Sequence, residues 1–172
     1  SSNDDRHQVL ALPGGNHLLV YEGWANNAAS VAFRVFDDSG AAVATRSVAS
    51  KALATFTNQA SVLTQNNEVV TCVVDKTESN EVLQLHITPV EAGDALGTST
   101  TVELYDNATV TPTPTQSVVD ADRCLLAALA GGGVAVLHET ADSFRLQTHV
   151  TFFDENFAVT STTHVTSGSI GW

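Results

Sequence analysis

At 172 residues, 43% of them hydrophobic, the chain is long enough for one domain with a genuine core or for a few small repeats packed side by side. Nineteen acids against seven Lys and Arg give a formal net charge of -12, which argues against nucleic acid and anionic membrane as partners, because both reward clustered bases. No apolar run reaches the ~18 residues of a membrane helix, and the longest, Cys124 to Leu137, is broken by three consecutive glycines, so no membrane insertion is expected.

Period-two alternation of apolar and polar residues dominates, and no window offers helical spacing between plausible caps, so strands are expected almost throughout. In chain order the first set is Val9 to Leu12, the turn Pro13-Gly14-Gly15-Asn16, His17 to Glu22, a polar loop from Gly23 to Ala28, Val31 to Phe36, the turn Asp37-Asp38-Ser39-Gly40, and Ala42 to Val48. The second is Val62-Leu63, the turn Gln65-Asn66-Asn67, Val69 to Val74, Val82 to Ile87, the turn Glu91-Ala92-Gly93-Asp94, and Thr98 to Tyr105. The third holds Arg123 to Leu126, the Gly131-Gly132-Gly133 turn, a strand running on to His138-Glu139, the alternating Thr148, Val150 and Phe152, and the turn Asp154-Glu155-Asn156. There Asn156 is expected to take the left-handed conformation that Gly40 holds in the first set.

The sets are copies. Shifted by 117 positions, Asp5 to Gly15 lies on Asp122 to Gly132 without a gap, and Glu22, Phe36, Asp37, Thr45 and Val48 fall on Glu139, Phe153, Asp154, Thr162 and Val165. Such self-similarity marks a fold assembled from one supersecondary unit. Approximate repeats at 4–57, 58–117 and 118–172 follow, within a single all-β repeat domain covering 1–172. Phe36 and Phe153, at equivalent places beside their turns, are expected to be equivalent core residues.

The run Arg34-Val35-Phe36-Asp37-Asp38-Ser39-Gly40-Ala41-Ala42-Val43, preceded by Leu12-Pro13-Gly14-Gly15 and the strand ending at Tyr21, resembles the blade repeats of large secreted adhesive or scaffold proteins. Those repeats read as a Gly-Gly turn, a Val-rich strand and Phe-Asp-x-x-Gly-x-x-Val. Only the first set carries the complete motif; Phe153-Asp154-Glu155-Asn156 lacks the Gly, and Thr88-Pro89-Val90-Glu91 lacks Phe-Asp. The resemblance implies four-stranded antiparallel propeller-type blades serving adhesion or scaffolding, with no common chemistry. The alternative fold is a β-trefoil, which also needs three four-stranded repeats. Three blades are too few to close a propeller of about four to eight blades, so self-association or a further domain of the same assembly is expected.

Candidate sites are sparse. None of the six histidines (His7, His17, His86, His138, His149, His164) has zinc-motif spacing, and His17, His86 and His149 read as outward or half-buried strand positions. The acid pairs Asp4-Asp5, Asp37-Asp38, Asp120-x-Asp122 and Asp154-Glu155 read as turn caps or surface charge. No cofactor is expected, and weak calcium binding is the one exception these acids leave open. Asp5-Arg6 and Asp122-Arg123 recur with the framework, which suits a structural Arg better than a catalytic one. There is no Gly-x-Ser-x-Gly elbow and no glycine-rich loop before a helix, so no enzyme is expected. Tyr21 and Trp24 are the candidate sugar-stacking aromatics, Trp24 lying in the polar loop, and they support a carbohydrate-binding lectin as the alternative function.

Cys72 and Cys124 permit one disulfide or two buried thiols. Asn107-Ala108-Thr109 is a glycosylation sequon, followed by the Thr/Pro-rich stretch to Gln116. With the acidic surface, and a start at Ser1 that reads as a processing or excision boundary or a tag remnant, these features point to a soluble, secreted or extracellular, non-catalytic structural or adhesive module.

Overall fold

The computed structural model describes residues 7–25, 28–52, 55–76, 81–106, 116–117, 124–142 and 145–169. Among these residues the structure is all β apart from one 3-10 turn at Ala92–Asp94. Sheet I is the meander β1 (His7–Ala11), β2 (His17–Ala25), β3 (Ala28–Phe36) and β4 (Ala42–Ala52). Sheet II is β5 (Thr55–Leu63), β6 (Glu68–Lys76), β7 (Glu81–Pro89) and β8 (Thr100–Asp106). The two-residue β9 (Gln116–Ser117) pairs with the far end of β11 (Val134–Asp142), which with β10 (Leu125–Ala128), β12 (Arg145–Phe153) and β13 (Val159–Ser169) makes sheet III. Every pairing is antiparallel, and among the described residues none joins one sheet to another. A trefoil barrel needs strands that pair from repeat to repeat, so that alternative fails and three separate meanders remain.

The registers show how deep the repetition goes. Leu18 pairs with Val35 and Val20 with Phe33 in sheet I. The same places in sheet II hold Val70 with Ile87 and Cys72 with Leu85, and in sheet III Ala135 with Phe152 and Leu137 with Val150. We call the face carrying these residues the front of each sheet. The back carries the alternate residues: Leu19 with Arg34, Thr71 with His86, and Val136 with Thr151. A directly opposed pair shares a face because side chains alternate along each strand.

The sheets stack front to back. One core joins the front of sheet I (Leu18, Val20, Val31, Phe33, Val35) to the back of sheet II (Val69, Val73). The other joins the front of sheet II (Val70, Cys72, Leu83, Leu85, Ile87) to Val134, Val136 and Phe153 on the back of sheet III, with Cys124. Sheet II is therefore covered on both faces, which is why Val69 to Val73 reads as an unbroken apolar-rich run instead of an alternation.

Polar contacts key the first junction. The Gln8 side chain behaves like an extra piece of strand: its Nε2 donates to the Ser61 carbonyl at 2.6 Å, while the Ser61 N–H donates to its Oε1 at 2.7 Å. Arg46 on β4 donates to the carbonyls of Leu96 and Gly97 in the β7–β8 connection. From that connection the buried Asp94 accepts from the N–H groups of Gly14 (2.8 Å) and Asn16 (3.1 Å) in the β1–β2 turn. Glycine at position 14 leaves room for this contact: a Cβ there would lie 2.5 Å from an Asp94 carboxylate oxygen and would have to displace it.

Three sequence expectations need correction. Gly23, Trp24 and Ala25 continue β2 and Ala28 opens β3, so these four are strand where the polar composition marks a loop. In the β12–β13 turn the left-handed residue is Phe157 (φ 59°) and not Asn156, because the 117-residue register sets Phe157 on Gly40 (φ 81°). Packing against the second core overrides its local preference there, at a conformational cost of about 1 kcal/mol. His86 is buried and not outward, since its face of sheet II is covered by sheet I.

These contacts predict a graded response to substitution. Phe33→Ala, in the first core, should cost about 3–5 kcal/mol, whereas Val43→Ala on the exposed face of β4 should cost under about 0.5 kcal/mol. Asp94→Asn, which keeps an acceptor and tolerates the left-handed backbone (φ 60°), should cost about 1–2 kcal/mol through the lost charge. Urea titration of the three variants checks the ranking.

Candidate functional site

The features able to do something beyond folding lie at the two ends of the stack and at the junction of sheets II and III. Among the described residues, no sheet lies against the back of sheet I or the front of sheet III. The first carries Val9, His17, Leu19, Tyr21, Ala32, Arg34 and Phe36, with the Arg34 guanidinium 5.4 Å from the centroid of the Phe36 ring. Phe36 is only half-buried, whereas Phe153, its equivalent, is 2% exposed. The expected equivalence holds for position in the unit and fails for burial, because only Phe153 has a sheet packed over it. The front of sheet III carries Leu125, Ala127, Ala135, Leu137, Val150 and Phe152, all exposed or half-exposed.

At the covered junction Cys72 and Cys124 form a disulfide between their sheets, Cα atoms 6.3 Å apart, which resolves the two readings the sequence left open. Beside it three histidines form a ladder across the back of sheet III. His138 is the register partner of His149, and His149 of His164. Their rings stack at 5.4 Å and meet edge-on at 5.3 Å. His138 Nε2 and Thr151 Oγ1 share a hydrogen bond at 3.2 Å, while buried Nδ1 has no hydrogen-bond partner. Burial, reinforced by the charge of His149, lowers the His138 pKa to about 4. Burial, with His164 beside it, also lowers His149. Stacked rings do not converge their nitrogens, and among the described residues no three His, Cys, Asp or Glu are grouped to hold a metal ion. The ladder escaped sequence reasoning because the residues are 11 and 15 apart; only the strand register brings them together.

Of the other sequence candidates, Tyr21 sits half-buried on the open back of sheet I, its ring 6.5 Å from that of His7. The backbone of Trp24 lies in β2 opposite Ala29, and its side chain is outside the described residues. Asn107, Asp4-Asp5-Arg6, and Asp120 with Asp122-Arg123 also lie outside them. Asp37 and Asp154 cap their turns: Asp37 Oδ1 accepts from the Ser39 hydroxyl and the N–H groups of Ser39 and Ala41, and Asp154 Oδ1 accepts from the N–H groups of Asn156 and Ala158. Ser39, then Ala41, hold the Asp37 carboxyl below its ordinary value. A shallow pocket of about 260 Å³ is lined by Leu129, Ala130, Gly131, Gly133, Phe153, Asp154, Glu155 and Asn156.

No protein-family model matches the chain, and no curated protein matches it either.

Two outcomes follow at the junction. Opening the disulfide releases a sequence separation of 52, so Cys72→Ala with Cys124→Ala should lower stability by about 4 kcal/mol, read by denaturant titration with and without reductant. His138 is held neutral in the fold but takes a proton near its ordinary value of 6.5 once unfolded. The unfolded chain therefore binds more protons between those values, and stability falls as pH drops from about 6.5, levelling near 4. His138→Leu should flatten that fall by roughly 3 kcal/mol in chemical denaturation measured across the window.

Proposed function

We propose that the chain is a non-catalytic structural or adhesive repeat module of propeller-blade type, acting outside the cell and working through its open sheet faces. The observation that carries this reading is the pair of uncovered faces at opposite ends of the stack. Each is built from positions that are buried at the internal junctions, and a surface of that kind is suited to docking. The Cys72–Cys124 bond supports an oxidising compartment, where such bonds persist, and the net charge of -12 supports a soluble, exposed module. Glycosylation at Asn107 belongs to the same reading. The lectin reading rests on Tyr21, an aromatic ring on an open face where a sugar ring could stack.

Retention of protein-coated beads on collagen, mucin and polysaccharide surfaces tests the proposal. It should exceed that of albumin-coated beads and be lost with Phe152→Asp, while folded protein that adheres to none of them contradicts the adhesive reading. A glycan-array signal abolished by Tyr21→Ala or Trp24→Ala and untouched by Phe152→Asp would establish the lectin reading in its place.

A further inference from the structure

We propose that the partner of the open faces is a second copy of this chain, the front of sheet III of each copy packing on the back of sheet I of the other to close a six-sheet ring. This takes the structural side of the module reading above, since a closed ring leaves neither face free to adhere, and it rests on the propeller geometry of that reading. Both internal junctions follow one rule, front on back, and the rule is not exhausted at the ends of the stack. The front residues Leu18, Val20, Phe33 and Val35 of sheet I are buried against sheet II, and their equivalents in sheet III are Ala135, Leu137, Val150 and Phe152, which are uncovered. The back residues Val134, Val136, Thr151 and Phe153 of sheet III are buried against sheet II, and their equivalents in sheet I are His17, Leu19, Arg34 and Phe36, which are not. A new junction of sheet III on sheet I would continue the interface that the chain already makes twice.

The first strands of the sheets supply an independent observation. At the first junction Gln8 of β1 meets Ser61 of β5 through two hydrogen bonds. By the repeat registers the equivalent of Gln8 on the front of sheet III is Leu125, and the equivalent of Ser61 on the back of sheet I is Val9. These two are conspicuously exposed hydrophobics, Leu125 at 57% and Val9 at 62%. The proposed junction brings the Leu125 side chain to Val9, as Gln8 is brought to the Ser61 backbone, and takes both exposed apolar side chains out of water. Two copies suffice, because three sheets related by one two-fold axis to three more give six, within the about four to eight blades at which propellers close.

Sedimentation equilibrium and light scattering across micromolar concentrations test the ring. The expected mass is twice the 18.0 kDa of the chain, with nothing heavier. Leu125→Arg and Val9→Arg, both at exposed positions, should each return the mass to one copy with unchanged circular dichroism, and Leu125→Lys combined with Val9→Glu should restore the dimer in part. A folded chain that stays monomeric overturns the proposal, as does growth beyond two copies. A dimer broken by Leu125→Arg but indifferent to Val9→Arg overturns it too, since that result means front on front. A monomer whose beads still adhere until Phe152→Asp is introduced overturns the ring and leaves the adhesive reading standing, while a dimer of the expected mass without adhesion supports the ring and contradicts that reading.

Discussion

A sheet with two apolar faces cannot stand alone in water, and sheet II has two. Val70, Cys72 and Leu85 point one way while Val69 and Val73 point the other, and all five are buried. Covering one face stabilises the sheet only in part, so the folding of this chain is inseparable from stacking on both sides of its middle repeat. Repeat proteins commonly behave this way: each unit contributes little by itself and the junctions between neighbours carry the stability. The end sheets inherit the same pattern with only one neighbour each, and their half-exposed Leu19, Phe36, Leu137 and Phe152 follow directly from that.

The two junctions are locked differently. Between sheets I and II the keys are polar and directional: the Gln8 amide on Ser61, the Asp94 carboxylate on the β1–β2 turn, and Arg46 on the Leu96 and Gly97 carbonyls. Between sheets II and III the key is the Cys72–Cys124 bond, and the histidine ladder lies beside it. The disulfide makes the second junction the one that responds to reductant.

Much of the architecture was legible in the sequence. Period-two alternation marked most of the strands, and the ungapped match of Asp5–Gly15 to Asp122–Gly132 marked the repeat unit. The acid-led turns at Asp37 and Asp154 were readable because a carboxylate two to four residues before free N–H groups caps them wherever it occurs. What stayed hidden depended on contacts between repeats. Phe157 adopts the backbone of a glycine because the repeat register and packing against the second core outweigh local preference. The buried Asp94 reads as an ordinary turn residue until the β7–β8 connection is placed against Gly14, and the ladder of His138, His149 and His164 exists only in the register of three strands. The candidate site itself was the least legible. Tyr21 and Trp24 stood out as isolated aromatics, but which face of a strand is covered is a property of the neighbouring sheet and not of the strand.

Native-state hydrogen exchange resolved strand by strand tests the front-to-back stack most directly. With sheet II covered on both faces, the amides of β6 and β7 should exchange last and only through global unfolding, while those of β4 and β13, whose described side chains are almost all exposed, should exchange first. Protection spread evenly over the three sheets, or greatest in sheet I or sheet III, would contradict it.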